Sequence, residues 1–332
     1  MTFKVSVDQS DIVFNSREGE TLLDAIERAG YAVPYSCRMG VCIECAGKLC
    51  DGTVSTWSGE ISGPADEVLF CQARPVSDVR ILPSEIDDGG PEISRYVRAA
   101  VHQITHPTSE ISILKVRFPI GVRVKFRAGQ YLRIILPNRE TREFYMANAP
   151  QMADGVEIHV RSIPGGLFAT SVLASLERGD TLDLDLPYGD FYLRTTSDRP
   201  ILMIATGVGF APLKSMIESL LQRDNTRPTH LFWGGRRKQD LYMADLVRHW
   251  TAQAGWLKFT PVLSEPEVGW SGATGQVEEA ALRDLPDLSG WQVYACGDPQ
   301  MIEQARSDFI SRAGLPEGEF FADSFGVPGR LP

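Results

Sequence analysis

Four of the six cysteines in this 332-residue chain have the clearest chemical potential. Cys37, Cys42 and Cys45 stand as C-x4-C-x2-C within PYSCRMGVCIECAGKL, and Cys71 follows far downstream in LFCQAR. Three close thiols facing one remote partner is a spacing by which thiolates hold a 2Fe-2S cluster. Structural zinc sites more often come as two close pairs. A disulfide framework needs an oxidising compartment, and the opening MTFKVSVDQS has neither the basic start nor the apolar run of a signal peptide. Ligands packed so tightly need a loop that folds back on itself, and Gly40 supplies the backbone freedom. Cys37, Cys42, Cys45 and Cys71 are therefore the expected cluster ligands. Cys50 reads as an ordinary strand residue.

The elements around this loop have a legible order. FKVSVDQSDIVF reads as a hairpin of two short strands. In GETLLDAIERAG, Leu22, Leu23, Ile26 and Ala29 share one helical face and Gly30 is the stop signal. Strand pair, helix and cysteine loop resemble the plant-type ferredoxin domain, an α+β β-grasp fold, over residues 1–83. In those ferredoxins a glycine commonly follows the second cysteine, where this chain has Ile43. Residues 84–94, around PSEIDDGGPE, lose periodicity and gather Pro, Gly and acid, which predicts a linker.

Residues 95–195 are patterned as an antiparallel β-barrel: Leu114, Val116 and Phe118 alternate with charges, as do Val156, Ile158 and Val160, and Leu182, Leu184 and Leu186. Gly165 and Gly166 precede a helical pattern over 163–180, which predicts backbone N–H groups facing an anion. Residues 196–332 alternate strand and helix, the pattern of a doubly wound α/β parallel sheet that binds nucleotides at its strand ends. ATGVGFAP ends the first of these strands, so Gly207 and Gly209 let backbone approach a pyrophosphate and Pro212 suits the first turn of the next helix. Cys296, Gly297 and Asp298 end a later strand.

REFYMANA, residues 142–149, resembles the R-x-Y-S segment of the ferredoxin-NADP reductase superfamily. ATGVGFAP and the C-G-D-P at 296–299 resemble that superfamily's G-T-G-x-A-P and C-G-x-P. The resemblance implies that Arg142 pairs with the FAD pyrophosphate, that Phe144 lies along the isoalloxazine and that Tyr145 takes a serine's place near the flavin. It extends the flavin contacts to Met146, His159, Val160, Arg161, Gly165, Gly166, Leu167 and Thr170. It also places Gly207, Gly209, Pro212, Arg236, Gly297 and Asp298 on the nicotinamide dinucleotide, Cys296 near the reacting carbon and Phe325 against the flavin. Tyr145, Ala169 and Val208 stand where the superfamily has serine, serine and threonine, and each hydrogen bond lost with those hydroxyls is worth about 0.5–1.5 kcal/mol, so weak flavin retention is expected. Arg236, Arg237 and Lys238 suit a 2'-phosphate, yet the G-x-R followed by Asp-Leu looks like NADH members; NADH is expected, with NADPH possible.

All three modules in this order resemble the reductase components of bacterial Rieske aromatic-ring-hydroxylating oxygenases, of the benzoate and terephthalate dioxygenase type. That resemblance implies a multidomain NAD(P)H-dependent oxidoreductase passing electrons from NADH through FAD to its own 2Fe-2S cluster. The outer acceptor would be a Rieske oxygenase met near Arg38, Met39 and Val41. The same modules serve deoxysugar 3-dehydrase reductases, and a redox sensor is a third reading. The net charge of −10 argues against nucleic acid. No apolar run reaches membrane-spanning length, so a cytoplasmic protein is expected.

Overall fold

In the computed structural model, Val5 and Val7 turn inward from β1 (Phe3–Val7), which pairs antiparallel with β2 (Val13–Ser16) as the expected hairpin. The structure describes residues 2–324 except 11, 30, 32, 36–37, 85, 87–93, 153, 163–167, 169–171, 195–196 and 223–226. Thr21 caps α1 (Leu22–Arg28) by accepting a hydrogen bond from the Asp24 amide at 3.1 Å, and the helix buries Leu22, Leu23, Ala25 and Ile26. The following strands are β3 (Ala46–Asp51), β4 (Thr53–Thr56), β5 (Gly59–Ser62), β6 (Ala65–Leu69), β7 (Arg74–Pro75) and β8 (Val79–Pro83). They form a five-stranded sheet in the order β2-β1-β8-β3-β6 and a small sheet β5-β4-β7. Cys50 lies on β3. Contacts divide the chain into two compact units, Met1–Ile93 and Ser94–Phe325, and this first unit is the ferredoxin-like one.

The second unit opens with β9 (Arg95–Thr105), β10 (Ile111–Arg117), β11 (Tyr131–Ile135), β12 (Thr141–Tyr145), β13 (Gly155–Arg161) and β14 (Thr181–Tyr188). Their sheet runs β12-β11-β14-β9-β10-β13, antiparallel throughout. Leu114, Val116, Ile158, Leu182, Leu184 and Leu186 fill its core, as their alternation predicts. Of the helical pattern expected over 163–180, the described residues show one 3-10 turn, Leu173–Ser175. Gly165, Gly166, Leu167 and Thr170 lie outside the described residues.

A parallel sheet follows, built from β15 (Ile201–Thr206), α2 (Phe210–Leu221), β16 (Thr229–Gly235), α3 (Ala244–Gln253), β17 (Leu257–Leu263), β18 (Ala273–Thr274), α4 (Val277–Asp284), β19 (Gln292–Gly297), α5 (Pro299–Ala313) and β20 (Phe320–Ser324). Its order, β18-β17-β16-β15-β19-β20, puts β16 on one side of β15 and β19 on the other. Winding therefore reverses between β15 and β19, which opens a crevice beyond their carboxyl ends. Pro212 falls in the first turn of α2. Asp298 caps α5, accepting from the Gln300 amide at 2.9 Å, with Pro299 at the first helical position. None of the described helices is long and apolar enough to cross a membrane.

Candidate cluster loop and dinucleotide cavity

Cys42, Cys45 and Cys71 are buried at 4%, 2% and 5% exposure, while Cys37 lies outside the described residues. The Gln72 side-chain amide donates to the Arg38 carbonyl at 2.8 Å and to the Cys71 sulfur at 3.5 Å, so it ties the loop to the strand end that carries the remote cysteine. The loop backbone is left-handed at Arg38 (φ 53°), Gly40 (φ 80°) and Ile43 (φ 58°). Turns of this kind aim backbone N–H groups into one concavity, which suits the negative charge of a thiolate-held cluster. Among the described residues no three His, Cys, Asp or Glu side chains are arranged as metal ligands. The fit to a 2Fe-2S group therefore rests on three buried thiols around one folded-back loop.

Arg38 departs from expectation as a surface contact. Its guanidinium pairs with Asp24 and Glu27, stacks 4.5 Å from the Tyr35 ring centroid and is 11% exposed. Met39 and Val41 are half-buried. Ile43, 51% exposed, is the large apolar side chain that this loop presents to solvent.

In the second unit, a cavity of about 470 Å³ opens at the switch point, between the barrel face and the parallel sheet. The barrel contributes Phe144, His159 and Arg161; the nucleotide sheet contributes Gly207, Val208, Arg236, Gly297 and Asp298. Two glycines make the cradle tight. A Cβ on Gly209 would meet the Cys296 carbonyl oxygen at 2.1 Å, and one on Gly297 (φ 148°) would meet Thr206 Oγ1 at 2.1 Å. Thr206 Oγ1 accepts from the Asp298 amide at 2.9 Å, locking the two strand-end loops together. Bare backbone at the carboxyl ends of two adjacent strands is what a dinucleotide pyrophosphate requires. Ser324 is 4% exposed, pairs in register with Gly297, and its hydroxyl has no hydrogen-bond partner among the described residues. A bound group at this strand end would satisfy it.

The expected site residues divide into those on the cavity wall and those behind it. Arg161 stands beside the Gly207 loop and pairs with Glu110 at 3.2 Å, which makes it the barrel arginine at the cavity. Arg142 is held instead by Glu140 at 2.7 Å and by the Thr141 carbonyl at 2.8 Å. Phe144 packs tilted against Phe168, ring centroids 4.7 Å apart, and leaves one side to the cavity. Met146 and Val160 point into the barrel core, so backbone is what they offer a flavin.

Tyr145 is buried and Cys296 fully enclosed. The Tyr145 hydroxyl donates to the Asp323 carboxylate, and Asp323 pairs in register with Cys296. Burial, with the Asp323 charge second, raises both the tyrosine and the thiol well above their usual range, so both stay protonated. Cys296 thus stands behind Gly297 rather than on the wall. Phe325 lies outside the described residues. Near the cavity's outer end, the Asp240 carboxylate accepts the Arg236 and Arg237 amides at 2.8 and 3.0 Å, holding the Arg236 side chain at the rim.

A second polar cluster, behind the cavity, has no counterpart among the expected site residues except His159. Glu157 Oε1 lies 3.0 Å from both Lys214 Nζ and His159 Nε2, and its other oxygen is 3.1 Å from Lys115 Nζ. Burial pushes the Glu157 carboxyl up, but the His159 hydrogen bond and the Lys214 charge outweigh it and hold it below the usual carboxylate range. Burial pushes His159 down despite Glu157. A neutral imidazole donating from Nε2 to Glu157 leaves Nδ1 to accept from the Tyr242 hydroxyl at 2.7 Å. No spacing in the sequence marks Lys214, which sits among core leucines, and only the buried side of α2 reveals it.

Comparison with known proteins agrees with this anatomy. Residues 5–76 match the 2Fe-2S iron-sulfur cluster binding domain, 98–192 the oxidoreductase FAD-binding domain and 203–307 the oxidoreductase NAD-binding domain. The chain is 36% identical to reductase component 2 of terephthalate 1,2-dioxygenase from Comamonas sp, covering 98% of each chain. It is 34% identical to the CDP-6-deoxy-L-threo-D-glycero-4-hexulose-3-dehydrase reductase of Yersinia pseudotuberculosis, over 99% of this chain and 100% of that one. Among solved structures, an Amycolatopsis cytochrome P450 reductase superposes with a TM-score of 0.82 at 26% identity, covering 98% of this chain and all of the other. The chain therefore belongs to the family of NAD(P)H-dependent flavin and iron-sulfur oxidoreductases, whose cofactors are a 2Fe-2S cluster, FAD and NAD(H).

Proposed function

We propose that this protein is the reductase component of a Rieske-type aromatic-ring dioxygenase, working in the cytoplasm and supplying electrons for an aromatic acid such as terephthalate. The observation that carries the reading is the pair of glycine loops, joined through Thr206 and Asp298, that faces Phe144 across one cavity. Full-length similarity to a terephthalate dioxygenase reductase supports the choice of partner. FAD, when bound, takes a hydride from a nicotinamide and gives up electrons singly, which is what a one-electron iron-sulfur group accepts.

The chain's own part is alignment. Gly207, Gly209 and Gly297 let backbone approach the dinucleotide, Arg161 sets positive charge beside it, and Phe144 covers the flavin ring. Cys37, Cys42, Cys45 and Cys71 hold the cluster, and Ile43 beside it is the contact offered to the oxygenase. NADH is favoured by the G-x-R followed by Asp-Leu over 234–241, in which the Asp240 carboxylate accepts the Arg236 and Arg237 amides.

Anaerobic titration with NADH and NADPH should bleach flavin and cluster absorbance together with NADH. Addition of a purified Rieske dioxygenase and its aromatic acid should then yield the diol. Cys42→Ser removes one cluster ligand, so it should abolish electron delivery to that oxygenase and spare NADH-dependent ferricyanide reduction. No reduction by NADH of protein loaded with FAD and iron-sulfur would sink the reading. The similarity to the hexulose dehydrase reductase favours a second partner. Product formed only with a pyridoxamine-phosphate-dependent dehydrase, and none with the dioxygenase, would select it.

A further inference from the structure

The strand that carries Phe144 and Tyr145 ends at Tyr145, and the chain runs on through Ala147, Asn148 and Ala149 within the second unit. Outward-facing backbone groups there have no ladder partner, and buried peptide groups must be paired. α2 pairs them with side chains. Lys214 Nζ donates to the Ala147 carbonyl at 3.1 Å, Ser215 Oγ to the Asn148 carbonyl at 2.7 Å, and Glu218 Oε2 accepts from the Ala149 amide at 3.2 Å. Gln151 Nε2 reaches Ser219 Oγ at 3.3 Å. These four positions recur at the spacing of one helical face, and Lys214, Ser215 and Ser219 are 3%, 0% and 2% exposed.

The same helix begins directly after the Gly207–Gly209 turn. One rigid element therefore holds the dinucleotide loop at its N-terminus and the end of the flavin strand on its flank. We propose that the polar face of α2, Lys214, Ser215, Glu218 and Ser219, is a positioning device that fixes the register of nicotinamide against flavin for hydride transfer.

The inference rests on the reading of the cavity as the place where NADH meets FAD. Misplacement of reacting atoms by about 1 Å costs on the order of a hundredfold in rate, so slack in this grip should show in the transfer step rather than in binding. The residues touch neither cofactor by this reading; they act through the 147–149 backbone.

The test is the double variant Ser215→Ala/Glu218→Ala, which removes two of the grips and the Lys214–Glu218 pair but leaves Lys214 paired with Glu157. Ser215→Ala alone is the milder companion should the double variant fold poorly. In anaerobic stopped flow of the FAD-loaded chain, the limiting rate of reduction by NADH should fall about tenfold or more. The NADH dissociation constant should stay within about twofold, and the isotope effect with C4-deuterated NADH should rise. Hydrogen exchange of the protein without cofactors should show faster exchange confined to 147–151. A fall in NADH or FAD affinity with an unchanged limiting rate would overturn the proposal, as would faster exchange with no change in rate. Failure of the unmodified chain to react with NADH would instead overturn the functional reading, while the exchange pattern would still report whether α2 grips the segment.

Discussion

The cluster loop and the barrel–sheet junction solve the same problem, holding a reactive group still, in opposite ways. The loop does it chiefly with backbone: left-handed turns at Arg38, Gly40 and Ile43, with the Gln72 amide and the Arg38 pairs to Asp24 and Glu27 anchoring it from outside. The junction does it with buried side-chain charge: Lys214 between Glu157 and Glu218, and His159 between Glu157 and Tyr242. Backbone geometry tolerates substitution of whatever side chain is carried, within the limits of φ. A buried charge network does not tolerate loss of one member, because the partners remain charged and desolvated.

The sharpest way to break the contrast is Lys214→Met. It leaves Glu157 buried with Lys115 as its remaining lysine, and should destabilise the second unit by about 3–5 kcal/mol, read as a lower urea midpoint. Glu157→Gln added to it should recover a substantial share, since the more deeply buried carboxylate is then gone and only the partly exposed Glu218 is left without its lysine. Equal destabilisation of single and double variants would mean that the lysine acts by packing alone. Next in size is Gly297→Ala, whose Cβ would meet Thr206 Oγ1 at 2.1 Å at a φ of 148°. Overpacking of this sort costs about 1–3 kcal/mol. It should also raise the NADH dissociation constant, because the Thr206–Asp298 lock must open to make room.

These two substitutions also mark what the sequence could convey. Gly297 was legible through the C-G-D-P that ends its strand and resembles the superfamily's C-G-x-P, and the structure shows what a Cβ there would meet. The cysteine spacing was legible too, since ligand geometry is local. Lys214, Ser215, Glu218 and Ser219 were not. A polar stripe on an amphipathic helix ordinarily faces water, and only the docking of α2 on the barrel, a long-range contact, buries it. Likewise Arg142 carried the local motif, yet the barrel arginine at the cavity is Arg161, because strand register and the Glu140 pair decide where each guanidinium ends. The exposure of Arg38 was misjudged for a related reason: Asp24 and Glu27 lie a helical turn apart on α1, and nothing in the loop's own sequence announces that they capture it.

Acid provides a milder probe of the junction. His159 is held neutral by burial, so its folded pKa lies below the ordinary 6.5. His230, on β16, is pushed down to about 4, again by burial. The unfolded chain therefore binds more protons than the folded one once pH drops below 6.5, and stability must fall as pH falls through that range. Unfolding of the second unit, followed between pH 7 and 5, should show this decline, and His159→Gln should make it shallower, leaving the share that His230 carries. Glu157, held low, stays ionised across the window and contributes no slope there. A stability that is constant from pH 7 to 5 would mean that the imidazoles are solvated.

The smallest effect sharpens the other half of the comparison. Ile43 sits at φ 58°, the left-handed region, directly after Cys42, with its side chain 51% exposed. A β-branched residue there clashes with its own backbone, at about 1–2 kcal/mol. Ile43→Gly removes the clash but gives the unfolded chain more freedom, about 0.5–1 kcal/mol in the opposite direction. The net expectation is a gain of up to about 1 kcal/mol, seen as a higher melting temperature of the first unit with its cluster loaded. Electron delivery to an oxygenase should fall in the same variant, since the exposed apolar contact is gone. If stability rises while delivery holds, Ile43 is strain without purpose. If both change as expected, the chain keeps a strained backbone because the isoleucine side chain is needed outside, and the loop, like the junction, is shaped by what it must meet.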